Sequence, residues 1–363
     1  MFLSLFFRIY RHQQNIHLLN ITPIIIINWN GIQDTHECVN SLLALEIDNY
    51  HIHLIDNNSD NGEGNQLRDQ YLAQENLTFH QYDKNYGFTK AHLKIWKDEL
   101  QNSNYEYIAL LNNDTAVDKK WLVELLNVAR SHNADIVSSK MINYDNRSLI
   151  DNVGHFMLTT GEIMPIGSGD HVSKYTEVIA TFGACAGACL YSTKMIKNIG
   201  FFDPFFTTGY EDAELGLRAT VLNYKSVYAP KAIVFHKRGQ SISKIFNIDY
   251  SIMIHSSILY SYFKNVPLLN IVFSLPFLIF KYVSMLLINI IFERKQYLRI
   301  MCVSWRNTVN NLKYILNERS KLKSYKKLNS LKLRNKMTFF FKIDMKRFWN
   351  IIVQNNESNL DKY

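Results

Sequence analysis

The sequence predicts an α/β fold: an open, mostly parallel sheet flanked by helices, with a helical, membrane-associated extension on its C-terminal side. Three observations lead there. Short apolar runs rich in β-branched residues alternate with segments of helical period between about residues 22 and 142, the pattern of parallel strands joined by crossover helices. Clusters of Asn and Asp close three of those runs, at residues 28–30, 56–60 and 112–114. Ligands of open α/β sheets bind beyond such C-terminal strand ends. A long apolar run, residues 266–292, precedes a strongly basic stretch.

The elements follow in order. Residues 1–20 begin MFLSLFFRIYR, apolar and then basic, the reverse of a secretory signal, and read as an N-terminal helix or interfacial segment. PIIIINWN is a buried strand, and a helix follows through Cys38, Leu42, Leu43 and Leu45. HIHLIDNNSDNG is a strand running into a turn. A helix through Leu67 and Leu72 leads to the short strand LTFHQY. NYGF opens a helix over about residues 89–100, YEYIALLNND is a strand, WLVELLNVARSH a helix and ADIVSSKM a strand. Beyond residue 151 the pattern loosens. GHFMLTTGEI reads as a hairpin, and FGACAGACLYS is small enough for close backbone packing. GYEDAELGLRA starts a helix with acids that complement its dipole, and SVYAPKAIVFH is a strand ending at His236.

This divides the chain into a globular domain over 21–245, a helical membrane-associated region with a polybasic tail over 246–349, and a disordered terminus over 350–363. Residues 266–292 are long enough to cross a bilayer, but Pro267 and Pro276 interrupt the run and Lys281 sits within it. A kinked interfacial segment or re-entrant hairpin is favoured over a clean span, with a buried helical hairpin as the soluble alternative.

The net charge of +8 conceals a division. From Arg294 to Arg347 there are sixteen cations and two acids, a net of +14, so the remainder is near −6. A basic segment after an apolar run suits anionic lipid. Nucleic acid is not an expected partner, because no nucleic-acid motif accompanies the charge. Four cysteines, Cys38, Cys185, Cys189 and Cys302, form no disulfide framework and no CxxC pair, which fits a reducing compartment. Cys185 and Cys189 read as small core residues. There is no P-loop pattern.

Seven pieces in fixed order then carry a resemblance: IIIINWNG, LIDNNSDNG, NYGFTKAH, ALLNNDT, GACAGACLYS, IGFFDPFFTTGYEDAELGLRA and HKRGQS. Over residues 22–245 the chain resembles glycosyltransferase family 2, in its rhamnosyltransferase-like bacterial branch. The resemblance implies a GT-A fold, a nucleotide-sugar donor and inverting transfer to a hydroxyl.

It also assigns roles. Asn28, Trp29 and Asn30 fill the first nucleotide-contacting loop. Asp56 matches the residue that binds the base, a role favoured over that of a plain Asx-turn residue. Asn85, Gly87 and Phe88 form the family's N-x-G-F turn, where Gly87 lets backbone approach the donor. Residues 112–114 stand where the family has D-x-D: Asp114 is the main ligand for Mg2+ or Mn2+, with Asn112 in place of the first acid and Asn113 toward the donor. His236 matches a further metal or diphosphate contact, and Lys237, Arg238 and Ser241 are placed to meet phosphate. Asp212 matches the base that takes the acceptor's proton, with Glu211 beside it. Arg218 either pairs with these acids or reaches phosphate. The Q-x-x-R-W motif of processive members is absent from the sequence, which favours addition of a single sugar.

The expectation is therefore an inverting glycosyltransferase that moves one sugar from dTDP-rhamnose or a UDP-hexose to a lipid-linked or surface-polysaccharide acceptor. It would work on the cytoplasmic face of a bacterial inner membrane, peripheral or monotopic. Asn112 in place of Asp leaves one alternative, a nucleotide-sugar-binding subunit without turnover.

Overall fold

The computed structural model describes residues 21–237, 247–325, 327–341 and 343. The expectations for residues 1–20, for the 350–363 terminus, and for Arg238 and Ser241 fall outside them.

Isoleucines at 24, 25 and 26 show how the sheet is made. They lie in β1 (Thr22–Asn28), where alternate side chains point to opposite faces. Ile24 and Ile26 enter one apolar core with Cys38, Val39 and Leu42 of α1 (Ile32–Leu43) and Trp121, Leu122 and Leu125 of α4 (Trp121–His132). Ile25 enters a second core with Ala91 and Ile95 of α3 (Gly87–Ile95), Met195 and Ile196 of α5 (Thr193–Ile199), and Leu215 and Ala219 of α6 (Glu211–Val221). A run apolar on both faces is what a sheet covered on both sides requires.

The remaining strands are β2 (Tyr50–Asp56), β3 (Leu77–Gln81), β4 (Tyr107–Leu111), β5 (Thr115–Val117), β6 (Ile136–Asn143), β7 (Ile150–Asn152), β10 (Ala188–Ser192) and β11 (Ser226–His236). Helix α2 (Glu63–Tyr71) joins β2 to β3. The sheet order is β3-β2-β1-β4-β10-β6-β11-β5, with β7 paired to β6. Strands β3, β2, β1 and β4 are parallel, and β6 and β11 run the same way. The sequence pattern does not reveal that β10 lies antiparallel between β4 and β6. Its segment reads as small and crowded because it is a central strand covered on both faces, every residue buried. A separate hairpin, β8 (His155–Met157) with β9 (Ile163–Pro165), falls where GHFMLTTGEI suggested one. The fold is a mixed α/β, GT-A-like curled sheet flanked by helices and followed by a helical region.

That region comprises α7 (Ile248–Asn265), α8 (Leu268–Ile291), α9 (Lys295–Asn310), α10 (Leu312–Lys321) and α11 (Ser330–Lys336). Of the alternatives expected for residues 266–292, the re-entrant hairpin does not occur. One helix runs from Leu268 to Ile291 with Pro276 inside it. A proline removes a single backbone donor, and a helix this long and apolar continues past it.

Helix α7 is locked onto the sheet domain by charge. Lys264 pairs with Asp203 and, at 2.8 Å, with Glu214 of α6; Asn265 donates to the same Glu214 at 3.0 Å, and Tyr260 donates to Asp203 at 2.6 Å. All five groups are buried. Arg218 completes the knot. Its Nε and Nη2 donate to Glu214, and its Nη1 and Nη2 reach the carbonyls of Ile199, Gly200 and Phe201. Burial alone would raise the Glu214 carboxyl, but Arg218 and Lys264 outweigh it and hold it down at about 2.

Candidate functional site

The site lies beyond the C-terminal ends of β1, β2 and β4. Asp56 is wholly buried there. Its Oδ1 accepts from Asn28 at 2.8 Å and from Ser59 Oγ at 2.6 Å; its Oδ2 accepts from the Ser59 backbone at 3.0 Å and from Gln81 at 2.8 Å. This corrects the expected base contact: a ligand N–H reaches Asp56 only by displacing Gln81 or Ser59. Asn28 is occupied likewise, donating to Asp56, Ser59 and Glu63 and accepting from Thr35 at 2.8 Å. Both residues brace the loops at these strand ends and have their hydrogen-bonding groups occupied within the protein.

Asn30, in the left-handed region at φ 52°, exchanges two hydrogen bonds with Asp60, so the first two loops clasp one another. Trp29 is half-buried between the residues so fixed. Asn113 donates to Thr35 Oγ1 at 2.9 Å and ties the third loop to α1. Asn85 Oδ1 accepts from Asn57 at 2.9 Å and from the Gly87 backbone at 2.7 Å. Gly87 has φ +69°, which favours glycine, and a Cβ there would stand a tight 3.2 Å from the Thr207 carbonyl.

Arg218 is the clear correction. The expected phosphate contact is excluded, because its five N–H groups are all used inside the α6–α7 knot. The signal lay in the sequence: Glu214 sits four residues earlier on the same helix. Lys237, expected near phosphate, pairs instead with Asp34 at 2.7 Å and Glu37 at 2.6 Å.

Asp114 and His236 do come together. The last residues of β11 pair with β5, setting His236 opposite Thr115, next to Asp114. Lys237 N donates to the Asp114 carbonyl at 2.9 Å and closes this corner. His236 Nε2 stands 3.6 Å from Asp114 Oδ1, and that oxygen is buried with no hydrogen-bond partner. On the other ring edge, Nδ1 donates to Asp151 Oδ2 at 2.6 Å. Burial disfavours a charged imidazole here, but the carboxylates of Asp114 and Asp151 outweigh it and lift His236 to about 9.

Asp151 escapes sequence reasoning. The β6–β7 ladder steps from Met141–Asn152 to Ile142–Ile150, leaving Asp151 as the extra residue of a bulge and turning its side chain to His236.

These residues fit a divalent cation. Among the described residues no group of three or more His, Cys, Asp or Glu surrounds a single point. An orphaned carboxylate oxygen facing an imidazole nitrogen supplies two ligands, and a diphosphate supplies others, which is how Mg2+ is commonly held. Asn112, at the same strand end, is half-buried, with its backbone N–H on the Gly187 carbonyl at 2.8 Å.

The next residue upstream in that loop, Ala186, donates its N–H to Asp212 Oδ2 at 2.9 Å. The loop thus connects the Asp114 corner to the start of α6. Asp212 is half-buried there, its Oδ1 held by the Ala213 backbone at 2.6 Å. Glu211 is buried and accepts from Thr89 at 3.4 Å. Burial, and then the neighbouring Asp212 charge, push Glu211 up to about 8. Gly183 and Gly216 let the loop and α6 meet: a Cβ on Gly216 would lie 2.7 Å from the Gly183 Cα.

Two further residues went unseen in the sequence. His155 is buried with Nδ1 unpartnered; burial lowers its pKa against the pull of Asp212. Tyr250, from α7, stands by Gly209, and burial followed by Glu211 and Asp212 pushes it up to about 12.

Comparison with known proteins bears on the fold. Among solved structures the chain is similar to GalNAc-T7 with UDP, GalNAc and Mn2+, at TM-score 0.54 and 15% identity, over 67% of this chain and 48% of that one. The chain therefore spans about half the length of that protein, and the likeness is one of fold. It is also similar to S. aureus TarS 1–349 in complex with UDP-GlcNAc, at TM-score 0.48 and 16% identity over 68% and 67% of the two chains. A third is the mannosyltransferase PcManGT from Pyrobaculum calidifontis in complex with GDP-Man and Mn2+, at TM-score 0.48 and 9% identity over 66% and 62%. No curated protein matches the chain significantly. Residues 24–199, from β1 through α5, match the model of glycosyl transferase family 2, and the fold they lie in is GT-A-like.

Proposed function

We propose that this protein is an inverting glycosyltransferase that moves one sugar from a nucleotide-sugar donor to an acceptor hydroxyl. The observation that supports the reading best is the Asp114–His236 corner, with an unpartnered carboxylate oxygen, one loop away from the half-buried carboxylate of Asp212.

Asp114 and His236 would hold Mg2+ or Mn2+, with Asn112 beside them, and the cation would supply positive charge to stabilise the departing diphosphate. The chain's own groups do the rest. Trp29, Asn30, Asn85, Gly87 and Asn113 line the donor side, on loops braced by the buried Asp56 and Asn28. Asp212 takes the proton from the acceptor hydroxyl as its oxygen bonds to the anomeric carbon, while the bond from that carbon to the diphosphate oxygen breaks and the diphosphate leaves with the electron pair. Backbone donors at Ala186 and Ala213 hold the Asp212 carboxylate in the orientation this needs. Glu211, pushed toward its neutral form, keeps a second full charge away from Asp212.

The donor in this reading is dTDP-rhamnose or a UDP-hexose, by the rhamnosyltransferase-like motifs. The acceptor is lipid-linked or a growing surface polysaccharide, met at the cytoplasmic face of a bacterial inner membrane. The apolar face of α8 and the basic stretch after it support a membrane setting. In this reading α7 serves as part of the catalytic domain, given its buried charges.

Titration of the protein with candidate nucleotide sugars in the presence of Mn2+ tests the reading. Tight, metal-dependent binding of one donor supports it. Failure of every donor to bind, with or without metal, overturns it.

A further inference from the structure

Helix α8 is divided lengthwise. Asn270, Ser274, Leu278 and Asn289 are buried, and Lys281 is nearly so. At 3.6 residues per turn these five fall on one stripe. Each of the contacts that cover the stripe comes from the protein itself. Asn270 donates to the Ser330 carbonyl of α11 at 2.9 Å. Leu278 packs with Phe182, Leu217 and Val221 of the catalytic domain. Lys281 pairs with Glu162 in the turn of the β8–β9 hairpin. Asn289 donates to Met301 Sδ of α9 at 3.6 Å.

The opposite arc carries only apolar side chains, among them Val272, Ile279, Val283, Leu287 and Ile290, each about half or more exposed. The arc runs the full helix, roughly 36 Å at 1.5 Å per residue. Exposed cations stand at both ends of it: Lys295 after its C-terminus, and Lys332, Arg334 and Lys336 on α11 beside its N-terminal half, with Arg334 over the Phe273 ring. Phe339 and Phe341 are exposed near the same end. An apolar face bounded by cations and aromatic rings matches the cross-section of an anionic leaflet.

A spanning helix must leave its domain to cross the lipid. This one is covered by protein from Asn270 to Asn289, and by the catalytic domain itself at Leu278 and Lys281. Its single mid-helix charge points into protein, which removes the cost that a lysine in hydrocarbon would carry.

We propose that α8 is an in-plane membrane helix that seats the catalytic domain on one anionic leaflet, and that the β8–β9 hairpin connects this seat to the acceptor end of the site. The connection is short. Glu162 pairs with Lys281; the next residue, Ile163, donates its backbone N–H to the Tyr210 hydroxyl at 3.0 Å; Tyr210 immediately precedes Glu211 and Asp212. The acceptor side of the site is thereby held close to the lipid surface, as an acceptor with an apolar anchor requires. This rests on the proposed transfer reaction only for its meaning; the geometry of the seat is independent of turnover.

The test uses the full-length chain with Cys302→Ser, spin-labelled singly at positions 272, 279, 286 and 290, on vesicles containing phosphatidylglycerol. Power-saturation with oxygen and a nickel chelate reads the depth of each label. All four at one shallow depth supports the proposal. A profile deepest at 279 and shallow at the others means a span and overturns it. Labels that stay water-exposed, or that report contact with a second copy of the chain without lipid, overturn it too. Because no donor is present, failure here leaves the transfer reading to stand or fall on its own binding test.

Discussion

His236 donates through Nδ1 to Asp151 at 2.6 Å and turns Nε2 toward Asp114, 3.6 Å away. The Asp151 bond fixes the ring's orientation and leaves Nε2 to face the Asp114 corner, as a carboxylate does for a metal-bound histidine. Replacing Asp151 by Asn should weaken Mn2+ binding in the presence of a nucleoside diphosphate by about 10–100-fold, a typical cost for losing such a partner. Electron paramagnetic resonance of free Mn2+ measures it. Unchanged affinity in a folded variant would show that Asp151 only packs.

Asp212 is held by two backbone donors, Ala186 and Ala213, neither of them on the donor-side loops. Asp212→Asn should therefore abolish transfer and leave the donor dissociation constant within about twofold, since removing the base affects the chemical step rather than ground-state binding. Calorimetric donor binding, set beside a transfer assay, separates the two. Loss of donor binding in this variant would remove Asp212 from its role as base.

Glu211 sets a pH dependence of stability. Its carboxyl rises from 4.5 toward about 8 in the fold, by burial and then by the Asp212 charge. Between these values the folded protein holds a proton that the unfolded chain has lost. The contribution is full below the unfolded pKa and is lost as pH rises through the folded one. The melting temperature of Glu211→Gln should thus decline less than that of the parent protein between about pH 5 and 8. Thermal unfolding across that range decides; parallel curves would place the perturbation elsewhere.

The α6–α7 knot predicts a purely structural defect. Lys264→Met leaves Asp203 and Glu214 buried with one cation fewer. Stability should fall by about 3–5 kcal/mol, the usual cost of breaking a buried pair. Donor affinity, measured at a temperature where the variant is folded, should not change. A melting temperature equal to that of the parent would mean that the knot opens to water.

What was legible in the sequence was local. The alternation of apolar runs with helical segments placed β1 through α4, and the strand-end Asn and Asp clusters pointed to the candidate site, because both depend on neighbours in the chain. Asp151 was not legible: a bulge in β7 and the end of β11, 85 residues apart, bring it to His236. The insertion of β10 between β4 and β6 depends on long-range pairing in the same way. Asp56 was recognised by its motif, but its four hydrogen bonds come from three different segments. The course of α8 was partly legible. Asn270, Ser274, Lys281 and Asn289 repeat at helical spacing, a polar stripe that speaks for one helix with a protein-facing side and against a hairpin.

The central claim is that the Asp114–His236 corner serves transfer from a nucleotide sugar with a divalent metal. The most direct measurement is consumption of a panel of UDP-, GDP- and dTDP-sugars by the detergent-solubilised protein, with a crude lipid extract as acceptor, in Mg2+ or Mn2+ and in EDTA. One donor consumed with metal, not in EDTA and not by Asp114→Ala, is the result the account predicts. A donor consumed equally in EDTA and by Asp114→Ala would contradict it.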